Sequence, residues 1–181
     1  MTKPTSMLHT ERLILRQWRE EDFVPFAELN ADTRVMEFFP APLTRDESDA
    51  FAHRCMARLE EKGWGLWALE TMREGRFIGY TGLNIPAVEF PFSPCVEVGW
   101  RLARDAWGKG FATEAAQTAL AFGFGELDLA EIVSFTATLN TRSRAVMHRL
   151  GMMADGTFDH PSIPEGNPLR EHYLYRIQRS G

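Results

Sequence analysis

The tripeptide Gly108-Lys109-Gly110 contains the residues whose types and spacing point most directly to chemistry. It follows a strand pattern ending in Trp100-Arg101-Leu102 and precedes an alanine-rich helical pattern that begins at Phe111. A glycine loop between a strand and a helix N-terminus is typical of phosphate binding, because free N–H groups of the first helical turn point at the anion. No Gly-Lys-Ser/Thr occurs, and position 113 is not a glycine, so neither a Walker-type loop nor a dinucleotide fingerprint is present. A tight turn before a helix is the alternative interpretation.

Glu97 is the second residue that could do chemistry. Side chains alternate along a strand, so in the strand predicted over Cys95 to Leu102 this carboxylate shares a face with Gly99 and Arg101. A carboxylate in a central strand is costly unless it is paired or functional. The sequence therefore offers two interpretations, a proton acceptor and a salt bridge to Arg101.

The elements that position these residues follow from hydrophobic periodicity and turn residues. They predict one domain over residues 1–181 of the mixed α/β class, with a central sheet of about seven strands flanked by helices. Thr44 and Glu47 have the spacing of a capping box before the second helix. Predicted strands are Leu13–Leu15, Trp64–Leu69, Phe77–Leu83, Cys95–Leu102, Ile132–Thr138, Met152–Phe158 and Leu169–Ile177; the other predicted helices are Glu20–Asn30, Phe111–Glu126 and Asn140–Leu150.

Composition narrows the class of protein. The net charge of −5 argues against a broad nucleic-acid-binding surface. Residues 101–149 have a net charge of +1 against −6 for the remainder, so the phosphate-binding signals fall in the one segment without an acidic excess. Two cysteines in no metal-like spacing and a first segment without an apolar core predict a cytoplasmic protein with no metal and no membrane segment.

Residues 108–115, Gly-Lys-Gly-Phe-Ala-Thr-Glu-Ala, resemble the acetyl-CoA pyrophosphate loop of the GNAT superfamily. The family pattern is Gln/Arg-x-x-Gly-x-Gly/Ala; Gly110 and Ala112 match its last two fixed positions, and Trp107 departs from its first. A Trp there resembles the Rim-type ribosomal-protein N-terminal acetyltransferase branch. Other segments resemble the same branch in order and spacing over nearly the whole chain: Thr10–Arg16, Val96–Trp100, Asn140–Met152 and His172–Tyr175.

The resemblance implies how acetyl-CoA is bound. The strands over Cys95–Leu102 and Ile132–Thr138 would part, and the pantetheine arm would pair with the first of them like an added strand. The pyrophosphate would lie on the amides from Gly108 to Thr113. The implied cofactor residues are Trp100, Arg101, Leu102, Trp107, Gly108, Lys109, Gly110, Phe111, Ala112, Thr113, Asn140 and Ser143. Asn140 is alternatively a plain helix N-cap.

The resemblance also frames the catalytic residues. It implies that Glu97 is the general base and that a backbone N–H between Val98 and Trp100 holds the developing oxyanion. Many family members keep a Tyr four residues before the closing glycine of the second motif, and that position is Met147 here. Ser143 is then the candidate general acid, with a pure cofactor contact as its alternative. His148 and His172 are further candidates.

The function predicted is an acetyl-CoA-dependent N-acetyltransferase that acts on a primary amine by direct attack in a ternary complex. The acceptor could be a protein N-terminus, a polyamine or a small amine, and the protein a monomer or a homodimer. The acceptor pocket is expected from segments that vary within the family: Met36–Pro40, Trp64–Trp67, Ile85–Pro94 and Asp159–Pro168. A catalytically weak acyl-CoA-binding sensor is the main alternative, suggested by Met147, and a structural interaction domain is the third.

Overall fold

The computed structural model describes residues 6–179, and its framework is one open mixed sheet of eight strands. The strands in spatial order are β1-β2-β3-β4-β5-β6-β8-β7, with β5 and β6 parallel and the other neighbours antiparallel. The predicted mixed α/β class is confirmed. The additional strand, β1, has two residues, too few to show a pattern in sequence. The bounds are β1 Leu8–His9, β2 Leu13–Arg16, β3 Leu66–Thr71, β4 Arg76–Asn84, β5 Glu97–Leu102, β6 Glu131–Ala137, β7 Met153–Asp159 and β8 Glu171–Gln178.

Four α-helices flank this sheet: α1 Phe23–Ala31, α2 Arg45–Lys62, α3 Phe111–Gly125 and α4 Thr141–Arg149. The helix predicted from Glu20 begins instead with a 3-10 turn over Glu20–Asp22. The capping box before α2 is confirmed: the Thr44 hydroxyl accepts from the Glu47 N–H at 3.2 Å, and the Glu47 carboxylate accepts from the Thr44 N–H at 2.8 Å. Among the described residues, none of the helices has the length and apolar character needed to cross a membrane.

The helices pack in pairs on the two faces of the sheet. Phe26 of α1 and Phe51 of α2 contact the ring of Tyr80 on one side. On the other side, Phe122 of α3 contacts Trp67, and Arg144 of α4 hydrogen bonds to Tyr175. We call these the α1–α2 face and the α3–α4 face. The alternation predicted for the strand of Glu97 is confirmed, because Glu97 and Arg101 stand opposite Asn84 and Tyr80 on the α1–α2 face.

Three predicted strands begin two residues later than expected. β3 begins at Leu66 rather than Trp64, β8 at Glu171 rather than Leu169, and β5 at Glu97 rather than Cys95. The partner strand β4 ends at Asn84, opposite Glu97, and Pro86 follows two residues later. A proline has no N–H for a strand ladder, so pairing with β5 stops there.

The centre of the sheet contains a gap between β5 and β6. β5 pairs with β4 at every position from Glu97 to Leu102, but its recorded pairing with β6 is at Glu97↔Val133 alone. Ser134 Oγ donates to the Val98 carbonyl at 2.9 Å, just beyond that pair. The two strands therefore part toward their carboxyl ends, as the sequence resemblance implied.

Candidate active site

The glycine loop lies at the carboxyl end of the gap. Gly108 and Gly110 have φ of 72° and 81°, a region that glycine adopts without strain. Gly110 is the N-cap of α3, and residues 108–110 are exposed. A Cβ added at Gly108 would have no atom within 4 Å. The first amides of α3 are thus accessible to an anion, which is the geometry that phosphate binding requires.

Arginines surround this loop, and the sequence analysis missed them. Arg12 donates to the Lys109 carbonyl at 2.9 Å and stands 4.7 Å from the centre of the Phe111 ring. Arg104 and Arg142 lie 4.7 Å and 4.5 Å from the Trp107 ring. Arg12 is 97 residues from Lys109 in sequence, so no local pattern could have assigned it to the loop. Arg12 pairs with Glu114 and Arg142 pairs with Glu37, whereas Arg104 forms no ion pair with a described residue. Arg104 therefore adds most to the attraction for a pyrophosphate.

Backbone groups of β5 alternate between β4 and the gap. The carbonyls of Val96, Val98 and Leu102 accept bonds from Val133, Ser134 and Trp107 on the gap side. The Arg101 carbonyl points at Gly79 of β4, where an added Cβ would meet it at 2.1 Å. Of the three predicted pantetheine-pairing residues, Trp100 and Leu102 therefore present backbone groups to the gap and Arg101 does not.

The second cofactor motif opens α4 beside the gap. Asn140 is its N-cap and accepts from the Ser143 N–H at 3.1 Å, an arrangement that leaves a cofactor contact by Asn140 a prediction. Its Nδ2 donates to Thr136 Oγ1 and to Ser143 Oγ. Because Ser143 Oγ accepts one of these bonds, its own O–H remains available to donate.

Glu97 is partly buried on the α1–α2 face at the start of the gap. Its carboxylate accepts one hydrogen bond, from Asn84 Nδ2 at 2.8 Å, and it forms no ion pair with a described residue. The alternative of a Glu97–Arg101 salt bridge is therefore wrong. Burial raises the pKa of Glu97 to about 7, and the Asn84 bond lowers it only in part. Such a carboxyl group exchanges a proton near neutral pH, which suits a general base.

Open space lies next to Glu97 on the same face. A Cβ built on Gly99 would meet no atom within 4 Å. Arg101 bounds this space two residues further along β5, and Tyr80 stands opposite Arg101 on β4. Asn84 and Tyr80 were not predicted, because the residue opposite a given side chain depends on strand register and not on sequence spacing.

Three of the four expected acceptor segments meet on the α1–α2 face. Phe39 stacks on Arg101 at 4.3 Å. Phe90 and Phe92 contact Phe135 of β6, and His160 contacts His172 of β8 at 5.0 Å between ring centres. The fourth segment is wrong in part: Trp67 is fully buried and packs against α3 on the opposite face.

The candidate acids differ in position. Met147 is buried in the core, and His148 contacts the Tyr175 hydroxyl in the last turn of α4. His172 lies on the α1–α2 face, where burial lowers its pKa to about 4 and its Nδ1 bonds the Arg170 carbonyl. His172 is therefore neutral near pH 7. It can form hydrogen bonds there, but it is not present as the imidazolium ion that a general acid needs.

The sheet parts beside a glycine loop whose amides are accessible to a pyrophosphate, and a titratable carboxyl group lies at the closed end of the gap. This arrangement is typical of a coenzyme A-dependent acyltransferase. The acetyltransferase (GNAT) domain family matches residues 12–153, and the chain belongs to this family. It is therefore an N-acetyltransferase-type enzyme that uses acetyl-CoA.

Individual relatives span nearly the full length of the chain. It is 34% identical to FsC-acetyl coenzyme A-N(2)-transacetylase of Aspergillus fumigatus over an alignment of 196 residues. The alignment covers 98% of this chain and 81% of that protein. It is 29% identical to the uncharacterized N-acetyltransferase YnaD of Bacillus subtilis, over 93% of this chain and 94% of that one.

Solved structures share the fold. A GNAT-family acetyltransferase from Bacillus anthracis superposes with a TM-score of 0.79 at 28% identity, over 96% of this chain and 98% of that one. RimL, a ribosomal L7/L12 alpha-N-protein acetyltransferase in complex with coenzyme A, superposes with a TM-score of 0.75 at 16% identity, over 96% and 98% of the two chains. At 16% identity, the likeness to RimL shows a shared fold.

Proposed function

We propose that the protein transfers the acetyl group of acetyl-CoA to a primary amine by direct attack in a ternary complex, with Glu97 as the general base. The observation that carries the proposal is the Glu97 carboxyl group, whose pKa burial raises to about 7, beside open space at Gly99 and the gap between β5 and β6. A proton acceptor poised near neutral pH is what an amine needs before it can act as a nucleophile.

The cofactor residues of this proposal follow the gap. The amides from Gly108 to Thr113 would hold the pyrophosphate, with Trp107 and Lys109 beside it, and Trp100 and Leu102 would pair with the pantetheine arm. Asn140 and Ser143 lie across the gap from them. The exposed left-handed glycines and the parted strands fit such a ligand.

Acetyl-CoA supplies a thioester carbonyl at the closed end of the gap. Glu97 accepts a proton from the amine as its nitrogen bonds to the carbonyl carbon. The pairing of Glu97 with Val133 uses the backbone groups of Val96 and Val98 that face the gap. The first N–H of β5 that faces the gap and is not used in this pairing therefore belongs to Trp100. That N–H is placed to stabilise negative charge on the carbonyl oxygen. Ser143 donates its hydroxyl proton to the sulfur as the C–S bond breaks.

The acceptor is a primary amine of a protein N-terminus, a polyamine or a small molecule. Fold neighbours include enzymes for two of these classes: RimL is a ribosomal L7/L12 alpha-N-protein acetyltransferase, and a Vibrio cholerae neighbour is a spermidine N-acetyltransferase. Both are under 25% identical, so they support the fold and leave the choice of amine to experiment.

The test is release of free coenzyme A from acetyl-CoA in the presence of N-terminal peptides, polyamines and aminoglycosides, with the product amine identified by mass. We expect amine-dependent release with at least one class. Acetyl-CoA binding without release for any amine would favour the acyl-CoA sensor instead. No binding of acetyl-CoA would favour a structural domain.

A further inference from the structure

The guanidinium group of Arg101 is a buried charge that has no counter-ion among residues 6–179. Arg101 is 8% exposed, and its Nη1 donates to Asn30 Oδ1 at 2.7 Å. Its Nε has no hydrogen-bond partner, and no carboxylate of residues 6–179 lies within ion-pair distance of it. By contrast, Arg16, which is equally buried, pairs with both Asp22 and Glu70. An unpaired buried charge is expensive, and a protein tolerates one mainly where a ligand completes it.

Arg101 shares its face of β5 with Glu97 and with the open space at Gly99. Four residues of strand separate Glu97 and Arg101, so their Cα atoms lie about 13 Å apart at ~3.3 Å per residue. Gly99 lies midway, and nothing stands within 4 Å of an added Cβ there. A proton acceptor and a cation therefore flank the open space at Gly99, which we call the chamber.

Aromatic rings enclose the Arg101 end of this chamber. The guanidinium carbon lies 4.3 Å from the centre of the Phe39 ring and 5.5 Å from that of Tyr80. Phe39 is 37% exposed and belongs to the segment between α1 and α2. The Arg101 Nε–H is buried without a partner, and the partly exposed Phe39 ring lies between the guanidinium group and solvent.

We propose that Arg101 binds an anionic group of the acceptor, so that the substrate is an amine that also carries a carboxylate at a defined distance from its nitrogen. A guanidinium presents paired donors that match a carboxylate, and a low-polarity surround strengthens that pairing. The carboxylate could belong to a free amino acid or to a peptide, which share this chemistry. The inference rests on the proposed acetyl transfer and specifies its acceptor.

The experiment is a ruler series of ω-amino acids, each compared with its own amide. Glycine, β-alanine, γ-aminobutyrate, δ-aminovalerate and ε-aminocaproate present one amine at increasing distance from one carboxylate. We expect the wild type to acetylate the acid at least about tenfold better than the amide in kcat/KM at a preferred length, the value of one charged hydrogen bond. The longer members should be preferred because Glu97 and Arg101 are well separated.

Variants assign the preference to Arg101. Arg101→Gln should abolish the discrimination by lowering kcat/KM for the acid to the value for the amide, and Arg101→Lys should retain part of it. Arg54→Gln is the matched control, because Arg54 also lies 5.6 Å from the Phe51 ring but is exposed. It should leave the discrimination unchanged. A thermal shift by acetyl-CoA verifies that each variant is folded.

Calorimetry on the coenzyme A-saturated protein separates this inference from the proposed function. If the wild type binds an acid without turning it over, and Arg101→Gln abolishes that binding, the result would support the Arg101 site. It would also contradict acetyl transfer to this class of amine. Equal kcat/KM and equal binding of acid and amide at every length would overturn the inference while acetyl transfer stands. A preference for the acid that survives Arg101→Gln would overturn it as well.

Discussion

At the scale of single residues, the environment of Glu97 determines what it can do. Burial removes water from the carboxylate, and a single amide from Asn84 replaces only part of that solvation. The pKa therefore rises to about 7, and the fraction of ionised Glu97 increases as pH rises through that value. Below it the group is protonated and cannot accept a proton from the amine.

Glu97→Gln should lower kcat/KM at least tenfold near neutral pH and leave acetyl-CoA binding intact, since base assistance is worth about 10²–10⁴-fold. An α-amine has a pKa of ~8 and a lysine amine has a pKa of ~10.4. At a fixed pH, supplying the neutral form of the lysine amine therefore costs about 3.3 kcal/mol more than supplying that of the α-amine. The loss should grow as pH rises through about 7, where Glu97 of the wild type ionises, and should shrink again toward about pH 9, because the amine then deprotonates unaided. The measurement is the pH profile of kcat/KM from about pH 6 to 9 for both proteins.

Glu89→Gln is the control, since it removes an exposed carboxylate from the nearby loop. A constant loss across the pH range would reassign Glu97 to substrate positioning. Equal activity of Glu97→Gln and wild type throughout would reduce it to a structural role.

The sequence was informative about which face a residue occupies and uninformative about its partner. Strand alternation alone put Glu97 and Arg101 on one face, and the structure confirms it. The partner of Glu97 proved to be Asn84, thirteen residues away, and that of Arg101 proved to be Asn30 in α1. Both pairings depend on register and helix docking, which single-sequence periodicity does not encode.

At the scale of elements, the glycine loop, β5 and α3 form the unit that we propose binds the pyrophosphate. Two left-handed glycines turn the chain so that the amides of α3 point outward. An acetyl-CoA concentration of about 100 times its dissociation constant should stabilise the fold by ~2.7 kcal/mol, which is several degrees in melting temperature at this size.

Gly110→Asp should abolish that thermal shift. The substitution places a carboxylate at the N-cap where the pyrophosphate is expected, and a Cβ there already approaches Arg12 Nη2 at 3.4 Å. Gly75→Asp is the matched control, because Gly75 has a φ of 61° in open space, so both variants carry similar backbone strain. An undiminished acetyl-CoA shift in Gly110→Asp would mean that the phosphate site lies elsewhere.

Element types and order were predictable where patterns are long, and boundaries were not. The fifteen-residue α3 and its glycine loop matched closely, since apolar spacing and glycines act locally. β3, β5 and β8 began two residues late. For β5 the reason is that the neighbouring strand β4, not the segment's own sequence, ended the pairing. The two-residue β1 carries no periodicity at all.

At the scale of the whole molecule, the residues of the proposed acceptor site come from parts far apart in sequence. Phe39 follows α1, Glu97 and Arg101 lie on β5, and His172 lies on β8. The sequence could name the variable segments as candidates, but only the folded sheet shows that Trp67 belongs to the opposite face. Long-range assembly of this kind has no local signature.

The thiols of the molecule bear on how the acetyl group moves. Burial raises the pKa of Cys55 to about 12 and also raises that of Cys95. The thiolate is the nucleophile, so neither cysteine is activated to take the acetyl group. Direct attack by the amine is the route that remains consistent with a general base at Glu97.

The most direct test of this account is the order of bond making, measured on the intact protein by rapid quench and mass spectrometry. Protein mixed with acetyl-CoA alone should gain no acetyl group and release no coenzyme A. Addition of an accepted amine should then release coenzyme A and acetylated amine in equal amounts, from the first turnover onward. An acetylated protein formed before the amine is added, with a matching burst of coenzyme A, would contradict direct transfer and the role given to Glu97.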